Sequence, residues 1–290
     1  MGNIGIIGCG LMGSGIAGNY LKNKDTVYVY DINASAVEAL KEKGAKGAVS
    51  IQELAGVSDF VILSLASPEL IRTIVAGEDG LIDHMKRGSF ILDMSTNDVE
   101  YTREMHQAAA AKDVHFFDCP LSGGPEGAVR GELTVMAGGD EAQFEEVKTV
   151  LDVIGKNIQY VGESGSGQVA KLCNNMVVAG IVSLIGEALA VGRENGVDER
   201  TLAGIFQNGS AASKVMDVFG VNMLDESYDN VKFSLDNLKK DTGLYKRLKD
   251  SGALGDALSD EVNHLVESCA RQGFGGLDSS VIHHVIKKTF

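Results

Sequence analysis

A chain of 290 residues exceeds the usual size of one hydrophobic core, so two domains are expected. With 44% hydrophobic and 23% charged residues it has the composition of a folded globular protein, which excludes a disordered one. The net charge of −14 excludes nucleic acid and an anionic membrane as partners, since both need a basic surface; an anionic ligand must find its cations locally, in a few placed lysines, arginines or backbone N–H groups.

The first predicted strand, "NIGII", begins at Asn3 with no basic n-region or cleavage site before it, so a secretory signal is not expected and a cytoplasmic protein is. It runs into "GIIGCGLMGSG", a G-x-G-x-x-G array of Gly8, Gly10 and Gly13 with Leu11 and Met12 between the last two, opening an amphipathic stretch from Leu11 to Lys22. The first glycine permits a tight turn, the second lets backbone approach a pyrophosphate, and the third allows close helix-strand packing. The helix N-terminus then faces the anion. The second strand, "TVYVYD", ends at Asp31, 18 residues beyond the last glycine, close to the separation of a carboxylate that binds a ribose diol. Asp31 repels a 2′-phosphate and "INASAVEAL" after it holds no cation, so NAD is expected over NADP. The competing reading gives Asp31 only a helix cap, a role open also to Asn33 or Ser35.

Further strands, "FVILSL", "SFILDM", "VHFFD", "LTVMAG" and "IQYV", alternate with amphipathic stretches such as residues 34–43 and 99–111. Several are apolar throughout, as where helices cover both faces of a parallel sheet. "DMSTND" and "DCPLSGGPEGAVRGELTVMAGG" each follow a strand and so lie at the edge where such sheets bind ligands. In "PLSGG" the Ser122 hydroxyl and the N–H groups of Gly123 and Gly124 suit a carboxylate nest, against the plainer reading of a glycine turn.

The pattern changes at "GESGSG". The predicted organisation is a Rossmann-type doubly wound α/β domain over 1–163 followed by an all-α domain over 164–290. "GQVAKLCNNM" opens the second part. The apolar run from Leu172 to Gly186 is too short for a membrane span, is interrupted by two asparagines and is closed by Glu187, so it reads as a buried helix. Lys171 and Asn175 share a face of that helix. The helix dipole and burial both disfavour the lysine's charge, which suits proton exchange near neutral pH; a polar network between helices is the competing reading. Later, Asp198 is expected to cap "ERTLAGIF", and Leu235, Leu238, Tyr245 and Leu248 fall at helical spacing. In "LKKD", Lys239 and Lys240 precede Asp241, with a solvated helix face as the plain alternative. Cys9, Cys119, Cys173 and Cys269 are isolated, so neither a metal site nor a disulfide framework is expected.

The ordered series "GIIGCGLMG", "DMST", "PLSGG..GA..GELT.M.GG", "GSGQVAKLCNN", "LKKD" and "GFGGLDSSVI" resembles the β-hydroxyacid dehydrogenases, which include 3-hydroxyisobutyrate dehydrogenases and tartronate semialdehyde reductases. The resemblance covers essentially the whole chain. It implies an NAD-dependent oxidoreductase that interconverts a short 3-hydroxy acid and its semialdehyde, with Lys171 as acid/base. It assigns Ser122, Gly123, Gly124, Asn174 and Asn175 to the carboxylate substrate. To the cofactor it assigns the glycine loop with Leu11 and Met12, Asp31, Leu65, Ala66, Thr96 and Lys240. It implies no metal, and a homodimer or homotetramer.

Two departures fall along the expected cofactor path: Leu65-Ala66 and Val99 stand where the family often has proline. The 6-phosphogluconate dehydrogenases carry a histidine at the position of Asn174, and imine reductases generally lack the lysine, so both fit less well. "NGSAASKVMDVFGVNM" leans toward tartronate semialdehyde reductases. Reductases of succinic semialdehyde or glyoxylate in the same family, and a non-catalytic dinucleotide-binding module, are the remaining alternatives.

Overall fold

The computed structural model describes residues 2–252, 255 and 257–289, in two compact units that part between Lys171 and Leu172. In the first unit, strands β1 (Ile4–Ile7), β2 (Val27–Tyr30), β3 (Lys46–Gly47), β4 (Phe60–Leu63), β5 (Phe90–Asp93) and β6 (His115–Asp118) pair in parallel in the order β3-β2-β1-β4-β5-β6. Short β7 (Leu121–Ser122) and the longer β8 (Leu133–Gly138) follow, with β8 antiparallel to both β6 and β7. Strand β9 (Gly155–Gly162) lies parallel to β8. The expectation of a parallel sheet therefore holds through β6 and gives way to a mixed sheet beyond it. Strands β6 and β7 pair with β8 in one register, Asp118 with Gly138, Leu121 with Val135 and Ser122 with Thr134, so the chain runs straight on through Pro120 and turns back only between Ser122 and Leu133, and a direct return of that kind yields antiparallel neighbours.

Helices cover both faces. On one face, Ile4, Ile6, Phe60, Ile62, Phe90, Leu92 and Phe117 pack against α1 (Leu11–Lys22), α2 (Ala34–Lys41), α7 (Gly124–Arg130) and α8 (Phe144–Leu151). On the other, Ile7, Val61, Leu63, Ile91 and Phe116 pack against α3 (Ile51–Val57), α4 (Pro68–Ala76), α5 (Leu81–His84) and α6 (Val99–Ala110). Alternate residues of one strand feed the two cores, which is why β1, β4 and β5 are buried at every position and, Asp93 at the end of β5 apart, apolar throughout.

Helix α9 (Ser166–Glu194) begins just after the glycine turn and carries the division between the units within its first turns. It is long and apolar enough to cross a membrane by length and composition. Its row Met176, Ala179, Val182, Ile185 and Leu189 instead forms part of the second unit's core, at the spacing of one helix face. With α10 (Glu199–Asn208), α11 (Lys214–Leu224), α12 (Leu235–Asp250), α13 (Leu258–Cys269) and α14 (Ile282–Thr289) it makes an all-helical unit in which no strand occurs among the described residues. Asp198 caps α10 by accepting from Thr201 N, and Leu235 and Leu238 of α12 are fully buried.

Candidate active site

The carboxyl edge of the sheet gathers the first unit's candidate residues. Gly8 has φ +93° and a Cβ there would fall 2.2 Å from the Ser64 carbonyl oxygen; a Cβ on Gly13 would fall 1.9 Å from that of Gly8. Those two glycines serve the turn and the packing of helix on strand. A Cβ on Gly10 would meet nothing within 4 Å, and α1 opens there with no side-chain cap. Open space over uncapped N–H groups is what a pyrophosphate requires, so the loop fits a dinucleotide. Leu11 stands 77% exposed beside it, with Met12 half-buried behind.

Asp31 directly follows β2, with its carboxylate turned to this loop. One oxygen accepts from Cys9 N at 2.6 Å and the other from Asn33 N at 2.7 Å. The cap of α2 is Asn33, which accepts from Ser35 N, so capping does not account for Asp31. Burial, and then the Asp31 charge, push the Cys9 thiol up to about 12, which keeps it protonated and unreactive. Ile32 is 95% exposed, and no cation follows it as far as Leu40. Past β4, Leu65 N donates to Ser95 Oγ at 3.0 Å, which joins the loop of Leu65 and Ala66 to the one that carries Thr96.

Lys171 is buried in the first turns of α9, and its Nζ donates to the Leu121 carbonyl oxygen at 2.6 Å. Leu121 leads directly into Ser122, Gly123 and Gly124, where the glycines take φ +131° and +63°, a left-handed pair that turns the chain into α7. The structure thus brings Lys171 to the serine-glycine turn inside one compact unit.

In the second unit, Asn175 is 5% exposed and donates from Nδ2 to Asp241 Oδ2 at 2.6 Å, while its Oδ1 accepts from Asn174 at 3.0 Å. Asp241, 2% exposed, also lies 3.2 Å from the Lys240 ammonium. The plain reading of "LKKD" as a solvated face holds for exposed Lys239 and fails for Asp241. Lys171 and Asn175 are one turn apart on the same helix.

Several buried polar residues escaped the sequence reading. Asp118, the last residue of β6, accepts from Gly165 N at 2.8 Å and Gln168 N at 2.9 Å, capping α9 across the unit. Gln168 is fully buried, as are Asn97 and Asp93 beside it. The signal available was an acid ending each of two apolar strands, "SFILD" and "VHFFD", and a glutamine in an otherwise apolar run; their partners are distant in sequence. Burial, opposed by those backbone N–H groups and assisted by the Asp93 charge, raises the Asp118 carboxyl to about 7.

A doubly wound sheet with an uncapped glycine loop and an acid just after its second strand holds a nicotinamide dinucleotide at its carboxyl edge, which defines the class as dinucleotide-dependent oxidoreductases. Residues 3–162 match the family model described as the NAD binding domain of 6-phosphogluconate dehydrogenase, and residues 165–286 that described as NAD-binding of NADP-dependent 3-hydroxyisobutyrate dehydrogenase. A probable mitochondrial 3-hydroxyisobutyrate dehydrogenase of Dictyostelium discoideum is 33% identical over 99% of this chain and 91% of its own. A 2-(hydroxymethyl)glutarate dehydrogenase of Eubacterium barkeri is 33% identical over 96% of this chain and 93% of its own. The solved 3-hydroxyisobutyrate dehydrogenase of Mycobacterium tuberculosis with L-serine superposes with a TM-score of 0.91 at 25% identity, over 99% of each chain. The chain belongs to the 3-hydroxyisobutyrate dehydrogenase family of NAD(P)-dependent β-hydroxyacid dehydrogenases.

Proposed function

We propose that this enzyme uses NAD to interconvert a short 3-hydroxy acid and its semialdehyde, with Lys171 as general acid and base. The observation that carries the reading is the buried Lys171 Nζ, fixed on the carbonyl of Leu121 immediately before the Ser122-Gly123-Gly124 turn. A proton-transfer group and a carboxylate nest then adjoin along one stretch of backbone.

The dinucleotide supplies a hydride acceptor for the alcohol, or a hydride donor for the aldehyde. In oxidation Lys171 takes the hydroxyl proton on Nζ; in reduction it returns a proton to the carbonyl oxygen. Ser122 Oγ and the N–H groups of Gly123 and Gly124 hold the carboxylate. Asn174 and Asn175 are assigned to the substrate, and Thr96 and Lys240 to the cofactor, on the family resemblance. NAD is favoured over NADP because Asp31 and the cation-free residues after it oppose a 2′-phosphate. The acids in the relatives' names, 3-hydroxyisobutyrate, 2-(hydroxymethyl)glutarate and serine, share a hydroxymethyl group next to the carbon bearing the carboxylate. That fragment is the substrate class we assign, with methylmalonate semialdehyde and tartronate semialdehyde as the leading aldehydes.

Steady-state turnover with NADH and with NADPH, each offered methylmalonate semialdehyde, tartronate semialdehyde, succinic semialdehyde and glyoxylate, tests the reading. NADH-dependent reduction of one of the first two is expected. Preference for succinic semialdehyde or glyoxylate moves the assignment within the family, and tight NADH binding without turnover of any aldehyde returns it to a non-catalytic module.

A further inference from the structure

Gln168 has no part in the reaction just described, yet it is fully buried and both ends of its carboxamide are engaged. Nε2 donates to the Ser95 carbonyl oxygen and Oε1 accepts from Asn97 N, each at 2.9 Å. Those two peptide groups flank Thr96. Its own N–H is held by Asp118, three residues before Leu121, and Gln168 itself stands three residues before Lys171 on the same helix face. One side chain therefore ties the loop of Thr96 to the turn of α9 that carries Lys171, within one compact unit.

Neither piece depends on this tie for its own anchorage. Ser95 N and Asn97 Nδ2 are bonded to Asp93, and the start of α9 is bonded to Asp118 through Gly165 and Gln168. What the carboxamide adds is the fixed separation between the two. Hydride and proton transfer to one substrate need both donors aligned, and a misplacement of about 1 Å costs on the order of a hundredfold in rate.

We propose that Gln168 is a positioning residue whose carboxamide locks the loop of Thr96 to the helix turn of Lys171, and so sets the alignment of nicotinamide and acid/base. The proposal rests on the reading that Lys171 exchanges the proton and Thr96 meets the cofactor.

The test is Gln168→Met, which keeps the volume and removes both hydrogen bonds, alone and combined with Lys171→Ala, using the aldehyde of the panel that the unaltered enzyme reduces fastest. The single variant should fold and bind NADH within about twofold of the parent, while kcat falls about 10- to 100-fold and KM changes less. The isotope effect on kcat with NADH deuterated at the transferred position should rise, because hydride transfer becomes limiting. In the Lys171→Ala background the same change should slow the residual rate by a smaller factor than in the parent, since the two act through one geometry. A folded Gln168→Met with parental kcat, beside an inactive Lys171→Ala, overturns this proposal alone. Loss of kcat in step with lost NADH-binding capacity, at an unchanged isotope effect, makes Gln168 a folding residue and also overturns it. A Lys171→Ala enzyme with parental turnover, or a parent that reduces no aldehyde, sinks the underlying reading.

Discussion

Removing the Lys171 amine tests the chemistry at the scale of one residue. Lys171→Ala should lower kcat by roughly two to four orders of magnitude in stopped-flow turnover and leave NADH fluorescence titrations unchanged. Asp31→Ala with Ile32→Arg should move the kcat/KM ratio toward NADPH, because it removes the carboxylate that opposes a 2′-phosphate and supplies a cation. Asp118 predicts a pH effect on stability. Its carboxyl ionises near pH 4 in the unfolded chain but near 7 in the fold. Between those values the folded state holds an extra proton, so this group makes stability fall as pH rises from about 4 to about 7, by at most about 1.4 kcal/mol per pH unit, and contributes no slope above. Urea unfolding of Asp118→Asn beside the parent from pH 4.5 to 8 should show that slope missing; parallel curves would place the Asp118 titration elsewhere. Lys171 stood out in the sequence because a lysine in an apolar run is costly and needs a reason. Gln168 and Asp118 did not, since a buried amide or acid is explained by partners that only folding supplies.

At the scale of elements, the glycine loop separates two jobs within one motif. Gly13→Ala drives a Cβ into the Gly8 carbonyl and should cost on the order of 1–3 kcal/mol, seen as a lowered thermal midpoint. Gly10→Ala meets open space and should leave the midpoint nearly unchanged while weakening NADH binding, since the methyl group occupies the approach to the pyrophosphate. Strands β1, β4 and β5 were legible because burial on both faces makes them apolar, save for Asp93 at the end of β5. The antiparallel β8 was not legible as such, because alternation of side chains carries no information on chain direction. The two-residue strands β3 and β7 are shorter than any period can register. Helix α9 was legible from Leu172 to Gly186 as one apolar run, and the capping acid at its start was not, because Asp118 lies far upstream.

For the whole molecule, a ligand that binds only the folded chain stabilises it by mass action. NADH at a hundred times its dissociation constant should add about 2.7 kcal/mol to the stability, and NADPH at the same concentration should add less, as read by thermal unfolding. Equal shifts would remove the argument from Asp31. The sequence by itself determined the series of strands and helices, the glycine loop with its acid, the turn at Ser122 and the position of Lys171, because each depends on local periodicity or on a spacing of a few residues. The tertiary structure decided which backbone groups those side chains meet. Lys171 on Leu121, Gln168 astride Thr96 and Asp118 beneath α9 are contacts between segments 50 to 73 residues apart. No local pattern encodes such partners: they follow from the register in which β5, β6 and α9 come together, and the burial of each polar group fixes the partner it must find.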